Sequence, residues 1–196
     1  YIDIIGPNSI KRSYSIASIS SNKEVVILIK RVKNGEFSNY WFSEAKTDDL
    51  LRVEGPLGSF FLREKEKKNI IFLATGTGVA PIKSILDQLE TTGGTEVKNK
   101  KIWVFVGARF EKDLIWSPKL ENYKVNYIPT LSRSNDDWKG EKGYVQDIVL
   151  KQDINLKEAQ VYACGSNHMI ESARKVLIEN SLDENQFYSD AFVQTN

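Results

Sequence analysis

The chain has 196 residues, 41% of them hydrophobic and 27% charged, and its 27 basic and 26 acidic side chains leave a formal net charge of +1. This is the composition of a globular protein with one large or two small cores, and the charge balance excludes both a basic field for nucleic acid and a polybasic membrane-surface segment. One cysteine, Cys164, and one histidine, His168, exclude an intrachain disulfide and leave too few soft ligands for a zinc or iron–sulfur centre built from these residues. There is no apolar run of membrane-span length and no charged-then-apolar leader, so a cytoplasmic location is expected.

The N-terminal third reads as antiparallel β. "YIDII", "RSYSIAS", "EVVILIKRV" and "LLRVEGPLGSFFL" are short runs of branched and aromatic residues, separated by turn formers at Gly6-Pro7-Asn8 and Ser20-Ser21-Asn22. In "KRSYSIAS" the two-residue period of a strand puts Arg12 and Tyr14 on one face and Ser13 and Ser15 on the other. A cation, an aromatic face and a hydroxyl suit a flat charged ligand lying along the strand; they also suit an edge strand with a solvated Arg and a half-buried Tyr. In "RVKNGEFSNYW", Gly35 and Ser38 can offer backbone and hydroxyl donors to a phosphate with Lys30 or Arg31 nearby, or the stretch is a plain turn. The charge-rich "REKEKKN", Arg63 to Asn69, reads as a linker. Only about four strands precede it, fewer than a closed small barrel needs, which implies an open sheet or a fragment.

From Asn69 onward strand and helix alternate, as a buried parallel sheet demands. "NIIFLAT" leads into a helix with Ile82, Ile85, Leu86 and Leu89 on one face; "KIWVFVGAR", "KVNYIPTLS" and "QVYACG" follow, then a helix with Met169, Ala173 and Val176 facing the core. In "FLATGTGVAP", Gly76 and Gly78 permit a tight turn and Pro81 suits a first helical turn, so uncovered N–H groups can cradle a phosphate. A glycine-rich connection is the other reading of the same residues. Gly107 and Arg109 follow the second parallel strand, and Ser132 and Arg133 the third, at the carboxyl ends where open α/β sheets bind ligands. At the fourth, Cys164 and Gly165 leave room for a flat ring, or Cys164 is a buried inert thiol. Ser166 and His168 lack a nucleophile-elbow setting, which argues against a Ser-His-Asp hydrolase.

Taken in order, R-x-Y-S (12–15), G-x-x-S (35–38), G-P-x-G-x-F (55–60), G-T-G-x-x-P (76–81), C-G-x-x-x-M (164–169) and FYSDAF (187–192) resemble the ferredoxin–NADP reductase superfamily of flavoproteins. The resemblance covers essentially the whole chain. With "WKGEKGYVQD" and "QFYSDAF" it looks most like bacterial NAD(P)H-dependent electron-transfer reductases. These include the glucoseen-reductase-like components serving CDP-6-deoxy-hexulose dehydration in deoxysugar synthesis, the reductases of ring-hydroxylating oxygenases, and small NAD(P)H-flavin reductases.

The fold implied is β plus α/β in two domains: an N-terminally truncated antiparallel β-barrel FAD domain over residues 1–66, then a parallel-sheet α/β nicotinamide-nucleotide domain over 67–196. By resemblance, Arg12 meets the FAD pyrophosphate, Ser13 belongs to the same binding strand, Tyr14 covers the flavin and ribityl chain, and Ser15 hydrogen-bonds near flavin N5. Gly35, Phe37 and Ser38 hold flavin phosphates above Ile29, Lys30 and Val32. Thr75, Gly76, Thr77, Gly78 and Pro81 line the nicotinamide pyrophosphate; Gly107, Arg109, Ser132 and Arg133 line the adenosine half; Cys164, Gly165 and Met169 line the nicotinamide pocket. Ser15, Cys164, Asp190 and Phe192 stand nearest the chemistry.

The implied reaction is hydride transfer from NADH, with NADPH tolerated, to FAD, and electron release to an iron–sulfur or other protein acceptor. A plant-type 2Fe–2S domain, if there is one, lies outside these residues, which lack its four cysteines. A free-flavin reductase, or a nucleotide-binding module inactive without the missing N-terminal strands, are the alternatives. No nucleic-acid partner and no membrane insertion are expected.

Overall fold

Strand β1, Ile2–Ile5, is central in a three-stranded antiparallel sheet because both its edges pair, with β2, Lys11–Tyr14, on one side and β3, Arg52–Glu54, on the other. The computed structural model describes residues 1–6, 9–19, 23–63 and 67–192, with backbone alone at Glu96 and Phe192. Ile2 and Ile4 turn to one face and pack with Phe37, which stands on α1, Glu36–Asn39. Helix α1 runs straight into a π-helical turn, Tyr40–Glu44, so the residues after Gly35 are helical and not a plain turn. Its spacing brings Phe37, Tyr40 and Trp41 onto one side, three and four residues apart.

Two expected strands are corrected. "EVVILIKRV" makes only an isolated bridge, Ile16 to Ile27, and the Ala17 N–H donates to the Val26 carbonyl at 2.7 Å. High strand propensity does not suffice without a partner edge, and Val25 and Val32 stay 61% and 55% exposed. "LLRVEGPLGSFFL" contributes only the three residues of β3 before the chain turns at Gly55-Pro56. The expected turns at Pro7-Asn8 and Ser20–Asn22, and the expected linker boundary between residues 66 and 67, lie outside the described residues.

The second sheet is six-stranded and parallel throughout. It comprises β4 (Asn69–Thr75), β5 (Lys101–Ala108), β6 (Val125–Leu131), β7 (Glu141–Lys142), β8 (Ala159–Ser166) and β9 (Phe187–Phe192), in the order β7-β6-β5-β4-β8-β9. Because side chains alternate, β4 feeds two cores. Ile70, Phe72 and Ala74 join Ile82, Leu86 and Leu89 of α2, Val79–Thr91; Ile71 and Leu73 join Ile148 of α3, Val145–Leu150, and Ala173 and Leu177 of α4, Asn167–Glu179. Leu177, and not Val176, continues the core face of α4, since it completes the i, i+4 stripe from Ala173. The short β7 and α3 and the strand character of β9 are additions to the expected elements.

The N-terminal β residues pack on the α2 face of this sheet. Leu28, Phe60 and Leu62 cover its cluster, the Ser84 hydroxyl donates to the Ser18 carbonyl at 2.7 Å, and the Arg63 N–H donates to the Tyr162 hydroxyl at 3.0 Å. Among the described residues no helix is long and apolar enough to cross a membrane.

Between β4 and α2, residues Gly76–Gly78 form a single 3-10 turn lying against the end of β8. A Cβ at Gly78 would sit 2.2 Å from the Cys164 carbonyl oxygen, whereas one at Gly76 would meet nothing within 4 Å. Gly78→Ala is therefore expected to lower stability by about 2 kcal/mol, through forced separation of backbone from backbone. Gly76→Ala, where φ is +55°, is expected to lose only about 1 kcal/mol. Urea unfolding of the two variants checks the order.

Candidate functional site

From β4 the chain builds outward through β5, β6 and β7, then returns to the other side of β4 as β8 and β9. The carboxyl ends of β4 and β8 are thus a topological switch point, where the connections diverge and where open α/β sheets place their binding crevice. Gly165, with φ +141°, presses on Thr75 so closely that a Cβ would lie 2.2 Å from the Thr75 hydroxyl, and the Ser166 N–H donates to that hydroxyl at 3.2 Å. Ser166 also caps α4 by accepting from the Met169 N–H at 3.3 Å. Its hydroxyl is committed to the helix and is no hydrolase nucleophile.

Strand register then aligns side chains across the crevice. Ala74 pairs with Cys164 and Cys164 with Asp190. The first of the N-terminal residues reaches this row here: Ser15 is buried, and its hydroxyl donates to Asp190 Oδ2 at 3.4 Å. Cys164 is fully buried, and burial, aided by the neighbouring Asp190 carboxylate, pushes its thiol pKa well up. It is held as the thiol and offers bulk, not a nucleophile. Burial likewise raises the Asp190 carboxyl pKa, with the Ser15 hydrogen bond offsetting part of the rise.

Beside this row stands the β2 face. Arg12 is exposed and its Nη1 donates to the Lys11 carbonyl at 2.8 Å. Tyr14 is half-buried on an aromatic base: its ring lies 6.2 Å from Phe37 at 30° and 6.4 Å from Trp41 at 88°. The Trp41 indole N–H donates to the Tyr14 hydroxyl at 3.2 Å. Burial keeps Tyr14 a phenol, and a phenol that accepts from Trp41 retains its own proton to donate.

Ser13 is on the opposite face, where its hydroxyl donates to Asp3 at 2.6 Å; Lys11 bridges Asp3 at 2.8 Å and Glu54 at 2.9 Å. The Lys11 and Ser13 hydrogen bonds hold the Asp3 carboxyl below the usual range, so Ser13 serves a charge network away from Arg12 and Tyr14. Ser38 is buried, accepting from the Val32 N–H at 3.2 Å and lying 3.0 Å from the Val32 and Gly35 carbonyls, which pins the turn from inside. Ile29 is partly buried, while Lys30 and Val32 are exposed.

Gly107 packs under Val145, whose Cγ1 would be 2.8 Å from an added Cβ. Arg109 and Ser132 are exposed beyond β5 and β6, and the Arg133 N–H donates to the Arg109 carbonyl at 3.0 Å, bringing the two arginines side by side. Pro81 is buried in the first turn of α2, and Thr77 is half-buried in the turn before it. Met169 packs into the core on the α3 and α4 side, opposite the Cys164 row. The Phe192 side chain lies outside the described residues.

Four residues of this region are not among those expected from sequence: Trp41, Arg63, Tyr162 and Tyr188. Trp41 is legible as the i+4 neighbour of Phe37, and Tyr162 and Tyr188 as the residues two before Cys164 and Asp190. Arg63 carries no signal within a charge-rich run.

The residues fit a dinucleotide pair. Gly76 leaves its turn uncovered, Arg12 offers a guanidinium fork to a diphosphate, and Tyr14 offers a backed ring face to a flat heterocycle. Residues 2–62 match the oxidoreductase FAD-binding domain, and residues 72–175 the oxidoreductase NAD-binding domain. The chain is 40% identical over 194 residues to the CDP-6-deoxy-L-threo-D-glycero-4-hexulose-3-dehydrase reductase of Yersinia pestis, covering 98% of this chain and 58% of that protein. It is 29% identical over 191 residues to the anthranilate 1,2-dioxygenase electron transfer component of Acinetobacter baylyi, covering 94% and 54%. It thus spans little more than half the length of these relatives. The fold is that of the ferredoxin reductase in carbazole 1,9a-dioxygenase, with a TM-score of 0.82 at 23% identity, covering 98% of this chain and 59% of that one. The chain belongs to the ferredoxin–NADP reductase superfamily, the oxidoreductases that join an FAD-binding domain to an NAD-binding domain.

Proposed function

We propose that this chain is the flavin- and nicotinamide-binding part of an NAD(P)H-dependent reductase that delivers electrons to an iron–sulfur or other protein acceptor in the cytoplasm. The observation that carries the reading is the meeting of Ser15 with Asp190, the register partner of Cys164, at the switch point next to the face of Arg12 and Tyr14. Residues 1–66 form the FAD-binding unit and 67–196 the nucleotide-binding unit. The 40% identity to a CDP-6-deoxy-hexulose dehydrase reductase favours an acceptor in deoxysugar synthesis over an oxygenase.

Bound FAD would supply the hydride-accepting and electron-releasing chemistry between NAD(P)H and the acceptor. The chain's own residues bind and orient. Arg12 neutralises diphosphate charge, Tyr14 covers the ring from a face stiffened by Phe37 and Trp41, and Ser15 presents a hydroxyl at the ring edge. The uncovered N–H groups at Gly76 and the arginine pair 109 and 133 take the nucleotide phosphates and ribose. Cys164, small and uncharged, leaves width for a second ring in the crevice. Asp190 closes it, and the fully buried Cys164 excludes water from the back.

The deciding test is the visible spectrum of the full-length protein, before and after anaerobic NADH. Flavin bands that bleach are expected; a protein that stays colourless with added FAD overturns the reading, and flavin that is reduced but never retained favours a free-flavin reductase. Cys164→Ala is expected to slow flavin reduction by roughly tenfold or more through loosened ring positioning, with FAD content unchanged. Loss of FAD in that variant would remove Cys164 from the nicotinamide side.

Asp190 supplies a pH signature. Its folded pKa is raised, so between the ordinary aspartate range and that raised value the folded state binds more protons than the unfolded state, and stability falls as pH rises. Asp190→Asn is expected to be at least as stable as the parent at pH 7, with the difference vanishing below pH 3.8, in denaturation measured across pH.

A further inference from the structure

Directly behind the Ala74–Cys164–Asp190 row lies a second row made by the same register two residues earlier: Phe72, Tyr162 and Tyr188. Their rings touch in sequence, with centroids 5.5 Å apart for Phe72 and Tyr162 and 5.1 Å for Tyr162 and Tyr188, and Phe60 meets Tyr162 edge-on at 6.0 Å. Arg63 caps this row. Its guanidinium stands 4.8 Å from the centre of the Tyr188 ring and 4.7 Å from that of Phe61, its backbone N–H donates to the Tyr162 hydroxyl at 3.0 Å, and its Nη2 lies 3.4 Å from the Ser59 carbonyl.

Among the described residues, Arg63 Nε is buried without a hydrogen-bond partner. An orphaned guanidinium N–H is costly, so this arrangement is not one that stability alone would favour. The guanidinium is held by ring faces, which fix its plane and hence its distance from β9 on one side and from the N-terminal β residues on the other.

We propose that Arg63 is a positioning residue: gripped between Phe61 and Tyr188, it sets the spacing between the N-terminal β residues and β9, and thereby the approach of the two rings at the Ser15–Asp190–Cys164 site. Two strand residues, about 6.6 Å, separate the clasp from the site, and a close-packed interior transmits strain over that length. The Ser15 to Asp190 contact, at 3.4 Å, is at the long limit of a hydrogen bond, so a small opening at Arg63 breaks it. The part played by the two rings rests on the reductase reading above; the spacing itself does not.

The test uses the full-length protein in two forms. Without added cofactor, iodoacetamide labelling of the Cys164 peptide, read by mass spectrometry under native conditions, reports opening of the crevice. With FAD and NADH, the long-wavelength charge-transfer absorbance reports ring-to-ring approach. Arg63→Leu is expected to label at Cys164 about tenfold faster and to lose most of the charge-transfer band, with FAD content unchanged. Arg63→Lys, which keeps the charge but not the planar stack, is expected to recover part of both. Labelling and absorbance of Arg63→Leu equal to the parent's would overturn the proposal. If Arg63→Leu does not fold, Tyr188→Leu against Tyr188→Phe decides: the retained ring of Phe should preserve both readouts, and equal behaviour of the two variants counts against the clasp. A parent protein whose flavin NADH does not bleach defeats the reductase reading, while the labelling comparison still decides whether Arg63 sets the spacing.

Discussion

A Cβ at Gly78 would lie 2.2 Å from the Cys164 carbonyl oxygen, and a Cβ at Gly165 would lie 2.2 Å from the Thr75 hydroxyl, so the turn after β4 and the end of β8 meet backbone to backbone. No side chain can be inserted between them. This contact fixes the floor of the crevice and makes the Cys164 thiol part of a wall that cannot retreat. Because neighbouring strands of a parallel sheet keep register over their length, fixing β4 against β8 also fixes β9, and the carboxyl of Asp190 with it.

The first sheet is attached to this floor, not continuous with it. Its contacts are of two kinds: broad apolar cover by Leu28, Phe60 and Leu62, and a few directional hydrogen bonds from Ser84, Arg63 and Ser15. Apolar cover supplies attraction without direction, and the directional contacts choose one docking geometry among many that bury similar area. This division of labour explains why a site shared between two sheets needs so few polar contacts to be well placed.

Much of this architecture is legible in the amino-acid sequence, and what is not legible has physical causes. The apolar runs of β4, β5 and β8 are buried on both faces, so their composition alone marks them, and the turn at Gly76–Gly78 carries its own punctuation. "EVVILIKRV" has the same composition, but strand formation depends on a partner edge that composition does not record. Ser13 and Ser38 match a family pattern, but their bonds, from Ser13 to the Asp3 carboxylate and from Ser38 to nearby backbone, depend on local competition that spacing does not reveal. Arg63 is hidden because its meaning lies in the rings of Phe61 and Tyr188, the second of them more than a hundred residues away. The Ser15–Asp190 contact is legible only in outline: both residues belong to the resemblance, but their meeting is a property of how the two sheets dock.

The state of Cys164 has a further consequence for durability. A reduced flavin that meets dioxygen releases peroxide, and peroxide oxidises cysteine through the thiolate, step by step toward acids that cannot be recovered. In this fold the sulfur at the back of the crevice is fully buried and kept protonated, with a carboxylate beside it that repels a second negative charge. A soft, compact side chain is thus kept where its thiolate chemistry is suppressed, and a more exposed thiol in its place would be open to oxidation.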